Sequence, residues 1–363
     1  MRPADREAFK RCRRQWDFSA ARRGGYEPVA SERPVDFGRA VRDALAVYYF
    51  PGMWEWNRAI VRPLAHDGFR RSLQAQGAAG DDEAALVERG TALLDRYFDW
   101  APGVDDFVPV RVETDFDVNV PDPAQPDRHL ATPSGEPIHY QGRIDLLAVD
   151  ADDNYWIVDH RVVDDDWTDL DLLLLEERSS SFCWAWELFF LGMKIAGVIY
   201  NEVRAGGTAV VSGAVGPAAV RTGHRRMYVQ GGPVPSDVLT VEGGDFARRT
   251  RVPRGDGELG RLRAQLAAEA QDMTAADVRI YPNPSLAHCG ACDYRPPCVA
   301  ANAAGSAGAV LSESYRKRPP EVLEEGRLGG VTWAMGRGAA PPKFSRDRSS
   351  EVDKDTTEEG MNK

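Results

Sequence analysis

Two stretches of alternating residues, 140–150 and 155–163, flank the acidic turn-forming run 150–154 and predict a β-hairpin centred on Asp152. No other feature constrains the fold as tightly. The implied register sets Asp145 beside Asp159 on adjoining strands, with Cβ atoms roughly 5 Å apart. Alternation then turns Asp159 and Arg161 to one face of the sheet and His160 to the other. Two carboxylates that close repel unless something positive lies between them. With a cation alongside, they form a seat for Mg²⁺ or Mn²⁺ able to activate water against a phosphodiester. The same pattern also fits a surface hairpin whose acids are simply solvated.

Around the hairpin, apolar periodicity predicts helices over residues 4–23, 38–49 and 81–100, the last with Leu86, Leu93, Leu94 and Tyr97 on one stripe. Residues 108–120 read as a strand that joins the hairpin in a sheet, and a long helix over 170–195 covers it. Residues 197–204 return as a further strand, and the result is a mixed α/β chain.

The hairpin residues resemble the RecB-like and Cas4-like branch of the PD-(D/E)XK nuclease superfamily, whose motif is a strand Asp followed by Asp or Glu, any residue, and Lys. The matching positions are Asp145, Asp159 and Arg161, so an arginine stands where the family has its lysine. The family places a metal-binding His on an upstream helix in a phrase like FG-x-x-VH-x-AL. This chain reads FGRAVRDAL, with Arg42 at that position. Downstream, Arg178 and Phe182 occupy the places of the family's Gln-x-x-x-Tyr, and Glu113 matches an acidic residue ahead of the hairpin. The resemblance implies a restriction-endonuclease-like mixed central sheet flanked by helices over residues 1–302, and DNA, as single strands or duplex ends, as substrate.

Five cysteines add a second constraint. Cys289, Cys292 and Cys298 form C-x2-C-x5-C near the C-terminus, while Cys12 lies far upstream in FKRCRRQW. One N-terminal cysteine with a C-terminal triplet resembles the iron–sulfur staple of Cas4-like and AddB-like nucleases, which implies a [4Fe–4S] cluster on Cys12, Cys289, Cys292 and Cys298 joining the two ends of the domain. Zinc on the same thiolates and disulfide bonding are the alternatives, with a Cys₃His site through His288 ranked below the all-thiolate set. Cys183, in the apolar CWAWELFF run, reads as a small packed hydrophobe.

Net charge is −11, which on average opposes binding to a polyanion but leaves room for local patches. Lys10, Arg11, Arg13, Arg14, Arg22 and Arg23 form one, and Arg248, Arg249, Arg251 and Arg254 form another ahead of a helix near residues 257–273. Both patches could track phosphates or be ordinary solvated surface. Residues 303–363 are polar and charged apart from an apolar island at 331–335 and read as a largely disordered tail. A charged N-terminus, free thiols and the lack of a membrane-length apolar run predict a cytoplasmic protein that does not enter the membrane. No Ser-centred nucleophile motif, Gly-rich phosphate loop or helicase motor is present in the sequence.

The substitutions have a chemical direction, because Arg keeps its proton, cannot ligate a metal and offers a wide planar fork. Glu113, Asp145 and Asp159 face Arg42, Arg161 and Arg178 in equal number, so the pocket is expected to neutralise itself with guanidinium where a metal would bind. The expected function is therefore a DNA-processing or DNA-binding protein with weakened or lost nuclease activity. An active Mg²⁺- or Mn²⁺-dependent nuclease and a non-catalytic scaffold for a nuclease or helicase partner are the alternatives.

Overall fold

The computed structural model describes residues 1–29, 35–206, 239–303 and 305–318, with the backbone of four two-residue strands beyond these. Where the sequence predicts one N-terminal helix there are two, α1 (Pro3–Arg11) and α2 (Arg13–Ser19). The break is Cys12 itself, whose extended backbone (φ −160°, ψ 109°) ends the first helix and starts the second. A short strand β1 (Tyr26–Pro28) precedes three packed helices, α3 (Phe37–Tyr48), α4 (Arg58–Ala75) and α5 (Gly80–Trp100). In α3, Val41, Ala44, Leu45 and Tyr48 bury one stripe, and α5 does the same with Gly90, Leu93, Leu94, Tyr97 and Phe98. Gly90 is required by packing, since a Cβ there would lie 2.0 Å from the Phe69 ring of α4. Helix α4 has no counterpart in the sequence reading; Pro63 inside it removes a ladder donor and disguises the pattern.

The chain then enters the sheet with β2 (Phe107–Asn119), makes a small hairpin of β3 (Pro121–Asp122) and β4 (Gln125–His129), and forms the long pair β5 (His139–Asp150) and β6 (Tyr155–Val163). The helix expected over 170–195 is divided into α6 (Leu170–Leu175) and α7 (Glu177–Phe189). Glu176 separates them in an extended conformation and caps α7 by accepting the Ser179 N–H at 2.8 Å. Strand β7 (Ile195–Arg204) follows; two-residue strands β8 (Tyr228–Val229) and β9 (Gly232–Pro233) pair with each other, and β10 (Thr240–Gly243) and β11 (Ala247–Pro253) complete the sheet. Its order is β10-β11-β7-β6-β5-β2, antiparallel except for β6 and β7, which run parallel because α6 and α7 carry the chain across between them. The result is a six-stranded mixed sheet between helical layers, consistent with a restriction-endonuclease-like fold.

Each face of the sheet has its own core. Helices α3, α4 and α5 pack on one side over Leu146, Ala148, Trp156, Val158, Ile199 and Val203. On the other, α7 and α8 (Asp256–Thr274) cover Ile144, Leu147, Ile157, Val198 and Tyr200. Cys183 is fully buried in that second core and burial pushes its thiol pKa up, as suits a packed hydrophobe.

The fold continues past residue 302. After α9 (Leu286–Cys289) and α10 (Arg295–Asn302) come α11 (Ala307–Ser314) and β12 (Tyr315–Lys317). Strand β12 pairs antiparallel with β1, Tyr26 opposite Lys317 and Pro28 opposite Tyr315. Tyr294, Leu311 and Tyr315 bury themselves there, with Phe18 and Tyr26 packed against them. The folded chain therefore extends beyond the boundary expected from composition. The polarity of that segment conceals a few aromatic anchors whose partners are near the N-terminus. Further on, β13 (Arg327–Leu328) pairs with β14 (Val331–Thr332); the rest of the expected tail lies outside the described residues. Among the described residues no helix is long and apolar enough to cross a membrane.

Candidate active site

The β5–β6 register pairs Leu146 with Val158 and Ala148 with Trp156, and one step further sets Asp145 beside Asp159. The turn is held by the Asp150 carboxylate, which accepts the N–H groups of Asp152 and Asn154 at 2.9 Å each. Backbone pairing stops at Asp145, whose Oδ2 accepts the His160 N–H at 2.9 Å in place of a ladder bond. On the other flank, β2 pairs Val112 with Leu146 and Thr114 with Ile144, so Glu113 stands opposite Asp145. Three adjacent strands thus each contribute one carboxylate at the same level.

Glu113 is held at φ 42°, a left-handed conformation that Glu rarely adopts. Side-chain alternation inverts at this level: Ile144 lies in one core and Leu146 in the other, although both are even-numbered positions of β5. The sheet is locally rotated here. Burial is the main reason the Glu113 carboxyl is pushed up to about 8, with the charges of Asp145 and Asp43 adding to it against Arg143 and Arg42. Asp145 is pushed up to about 7, first by burial and then by Asp159, against Arg42, the His160 N–H and Arg178. Both acids are thus pushed up towards neutrality, each by burial first.

Asp159 goes the other way. Burial pushes its pKa up, but Arg161, Arg178 and the hydrogen bonds from Arg161 and Ser179 outweigh it and hold the carboxylate ionised. Arg161 donates from both Nε (3.0 Å) and Nη2 (2.6 Å) to Asp159 Oδ2, and the Ser179 hydroxyl adds a third bond at 2.8 Å. The guanidinium lies 4.6 Å from the Tyr200 ring centre and 3.7 Å from Glu176 Oε2. Position 161 therefore fills the seat beside Asp159 with a charge-assisted pair.

The other two arginines behave differently from the expectation of mutual pairing. Arg42 makes its ion pair with Asp36 at 3.6 Å, at the start of its own helix. Arg178, on the first turn of α7, has its guanidinium 5.6 Å from the Phe182 ring centre. Both act on Asp145 through space without being bonded to it. Two neighbours escaped the sequence reading. Asp43, next to Arg42 on α3, acts on Glu113 and accepts the Ser72 hydroxyl. Arg143 grips Asp115 through Nε and Nη2 at 2.7 and 2.8 Å and lies 3.9 Å from Glu113. No local motif marked either.

Behind the site, on the far face of β6, lies a second polar cluster. Asn201 Nδ2 donates to His160 Nδ1 at 2.8 Å, which leaves the ring proton on Nε2, a buried atom without a partner among the described residues. His160 stacks on Tyr49 with ring centres 5.6 Å apart. Tyr49 and Tyr97 share a hydroxyl contact at 2.7 Å, and Arg249 donates to both while forming an ion pair with Asp105 at 2.6 Å. Burial first, then Arg249, lowers the His160 pKa to about 3, so the ring is neutral.

Arg249 belongs to β11, and this strand corrects the reading of residues 248–254 as a basic segment free to meet phosphates. Arg248 pairs with Glu202, Arg251 with Asp106, and Arg254 donates to Glu258 and to the carbonyls of Leu173 and Leu174. All four guanidiniums are committed to internal partners. The N-terminal patch is largely committed too. Lys10 pairs with Glu177, Arg23 with Asp17, Arg13 lies 4.5 Å from the Phe9 ring centre, and Arg14 donates to Asn302 Oδ1 at 2.7 Å.

All five cysteines are free, Cys12 and Cys183 buried and Cys289, Cys292 and Cys298 half-buried. Cys292 has its pKa raised first by burial and also by Cys12, Cys289 and Cys298. Donors face three of the sulfurs: Ser285 N–H to Cys289 at 3.3 Å, the Tyr294 N–H to Cys292, and Arg14 Nη1 to Cys298 at 3.6 Å. His288 is turned away, its Nε2–H donating to the Asn283 carbonyl at 2.6 Å. Among the described residues no three His, Cys, Asp or Glu side chains are gathered as a metal-ion site. At the carboxylates this misfit has a cause, the Arg161 fork on Asp159 Oδ2.

Residues 3–164 match the family model of the PD-(D/E)XK nuclease superfamily, a span that holds Arg42, Glu113, Asp145, Asp159 and Arg161 and stops before Arg178. No curated protein matches the sequence. Among solved structures, the one titled "Crystal structure of SSO0001" aligns at 10% identity over 70% of this chain and 82% of that chain, with a TM-score of 0.27.

Proposed function

We propose that this protein is a DNA-binding relative of the RecB-like and Cas4-like nucleases whose metal-dependent cleavage is weakened or lost. The observation that carries the reading is the two-armed Arg161 contact on Asp159 Oδ2, which places a fixed cation where a hydrolytic nuclease of this superfamily needs a carboxylate open to metal. A guanidinium cannot leave by losing its proton, so metal entry requires breaking a partly buried ion pair. Cys12, Cys289, Cys292 and Cys298 would hold a [4Fe–4S] cluster, with zinc as the competing occupant. Such a cluster would hold the ends of the domain together, in addition to the pairing of β1 with β12.

One observation favours an active enzyme instead: Glu113, Asp145 and Asp159 remain level with one another on three neighbouring strands. Calorimetric titration with Mn²⁺ and a cleavage assay on labelled DNA separate the two readings. The expected outcome is DNA binding without cleavage in the natural sequence, and recovered cleavage in Arg42→His/Arg161→Lys/Arg178→Gln. Cleavage by the natural sequence that disappears in Asp159→Ala would refute the loss of activity. The purified protein is expected to absorb near 400 nm if it carries the cluster, and to lose that band in Cys12→Ser.

A further inference from the structure

We propose that Tyr281 and the arginines around it form a stacking platform for single-stranded DNA beside the break between α1 and α2. This rests on the DNA-binding reading above and deepens it, by naming a contact for the strand and the strandedness it selects. Elsewhere in the chain arginines are answered by acids. The four of residues 248–254 meet Glu202, Asp105, Asp106 and Glu258, Arg6 meets Glu269, and Arg23 meets Asp17. Arg11, Arg13, Arg14 and Arg279 differ, since none of them enters an ion pair among the described residues. Arg11 donates to Gln15 Oε1 at 3.1 Å, Arg14 to Asn302 Oδ1 at 2.7 Å, Arg13 lies against aromatic rings, and Arg279 is exposed. Neutral partners leave their charge available to an anion.

Direct contacts gather these residues around one ring. The Arg13 guanidinium lies 5.3 Å from the Tyr281 ring centre and 4.5 Å from that of Phe9. The Arg14 N–H donates to the Tyr281 carbonyl at 3.1 Å, and Asn283 Nδ2 donates to the Arg11 carbonyl at 2.8 Å. The segment is thereby pinned across the end of α1 and the start of α2. Val278 and Ile280 pack against the cluster of Phe9, Trp16 and Met273, while Arg279 and Tyr281, the residues that follow each of them, are left exposed. Pro282 and Pro284 stiffen the backbone just beyond, so the ring is presented without the entropy cost of ordering a loop. Tyr281 is 50% exposed, and residues 275–285 contain one acid, Asp277. An open π-surface backed by a guanidinium, with further arginines for the phosphates, is the combination that holds single strands. In a duplex the base faces are already covered by their neighbours, so the ring selects unpaired bases. Lys10, beside Arg11, pairs with Glu177, two residues before the Ser179 hydroxyl that donates to Asp159 at 2.8 Å. The end of α1 thus lies against the start of α7, which borders the carboxylate site.

The test is fluorescence anisotropy of the full-length protein, as purified and without added divalent metal, with a short fluorescein-labelled single-stranded oligodeoxynucleotide across a salt series. Tyr281→Ala is expected to weaken binding by about tenfold with the salt dependence unchanged, because it removes a stacking surface and no charge. Tyr281→Phe keeps the ring and should bind as the natural protein does. Tyr281→Leu keeps apolar bulk beside Arg13 but has no π-face, and should weaken binding as Tyr281→Ala does. Arg11→Gln/Arg279→Gln should lower the slope of log affinity against log salt by about 0.7 for each arginine removed. Arg70→Gln, an exposed change on α4, should leave affinity and slope unchanged. If the natural protein binds the oligonucleotide and Tyr281→Leu, with an unaltered melting curve, binds it with the same affinity, the platform is wrong while the DNA-binding reading stands. Failure of the natural protein to bind the oligonucleotide removes both.

Discussion

Strand β6 carries two polar clusters on opposite faces, both anchored within residues 159–161, and they differ in how they treat charge. On the far face, His160 is neutral and stacked, and Arg249 is surrounded by Asp105, Asn201, Tyr49 and Tyr97, with almost every polar atom matched. On the near face, Asp159 is answered by Arg161 and Ser179, while Glu113 and Asp145 are pushed up by burial first, then Glu113 by Asp145 and Asp145 by Asp159. The far cluster serves structure, tying β6, β7 and β11 to the α3–α5 layer. The near one stores unfavourable electrostatics, of a kind that a protein keeps at a functional site and that packing elsewhere must offset.

The sharpest way to break this comparison is to remove one cation from each face. Arg249→Met leaves Asp105 buried and unpaired and is expected to destabilise by about 3–5 kcal/mol in urea unfolding. Arg161→Met acts at a side chain that is 23% exposed, beside a second cation in Arg178, and is expected to cost less than half as much. Equal losses would show that the near pair is as structural as the far one.

pH separates the faces next. Glu113 and Asp145 have folded pKa values of about 8 and about 7, above their ordinary values of 4.5 and 3.8, so the folded state binds their protons more tightly. Their contribution is present in acid and is lost as pH rises through 7 and 8. His160, lowered from 6.5 to about 3, has the opposite sign: the unfolded chain takes up its proton first, and stability falls as pH drops below 6.5. Melting temperature against pH should therefore lose part of its alkaline decline in Glu113→Gln and part of its acid decline in His160→Gln. A Glu113→Gln profile parallel to that of the natural protein from pH 5 to 9 would contradict the buried-acid account.

The smallest expected effect is Ser179→Ala. It removes one of three bonds on Asp159 Oδ2 and should lower stability by about 1 kcal/mol. It should also raise the Asp159 pKa, observable by carboxyl NMR titration; an unmoved value would show that the arginines alone hold the charge.

Short-range pattern made the hairpin legible. The alternation around Asp152 was enough to place Asp145, Asp159 and the opposed faces of Asp159 and His160, because a strand has period two and a tight turn leaves little freedom of register. The Arg161–Asp159 pair was accessible for the same reason, since the two residues share a face. Asp43, Arg143 and the capping role of Glu176 were not, as each acquires its part from a neighbour on another element. Glu113 matched a family position, but its left-handed backbone, and the inversion of the sheet around it, carried no local signature.

The basic segment at 248–254 shows the limit most clearly. From sequence it is a run of arginines beside a helix; in the fold it is an inner strand whose guanidiniums reach Glu202, Asp105 and Asp106, 46 to 145 residues away in sequence. Charge identity is a property of the residue, but whether a charge is spent inside or offered outside depends on which distant carboxylates the topology brings to it. Periodicity along the chain settled the strands and the shared face of Asp159 and Arg161; only the packing of α3 and α7 across the sheet decided that Arg42 turns to Asp36 while Arg178 is exposed without an ion pair among the described residues, because that is set by three-dimensional proximity between segments that no local pattern encodes.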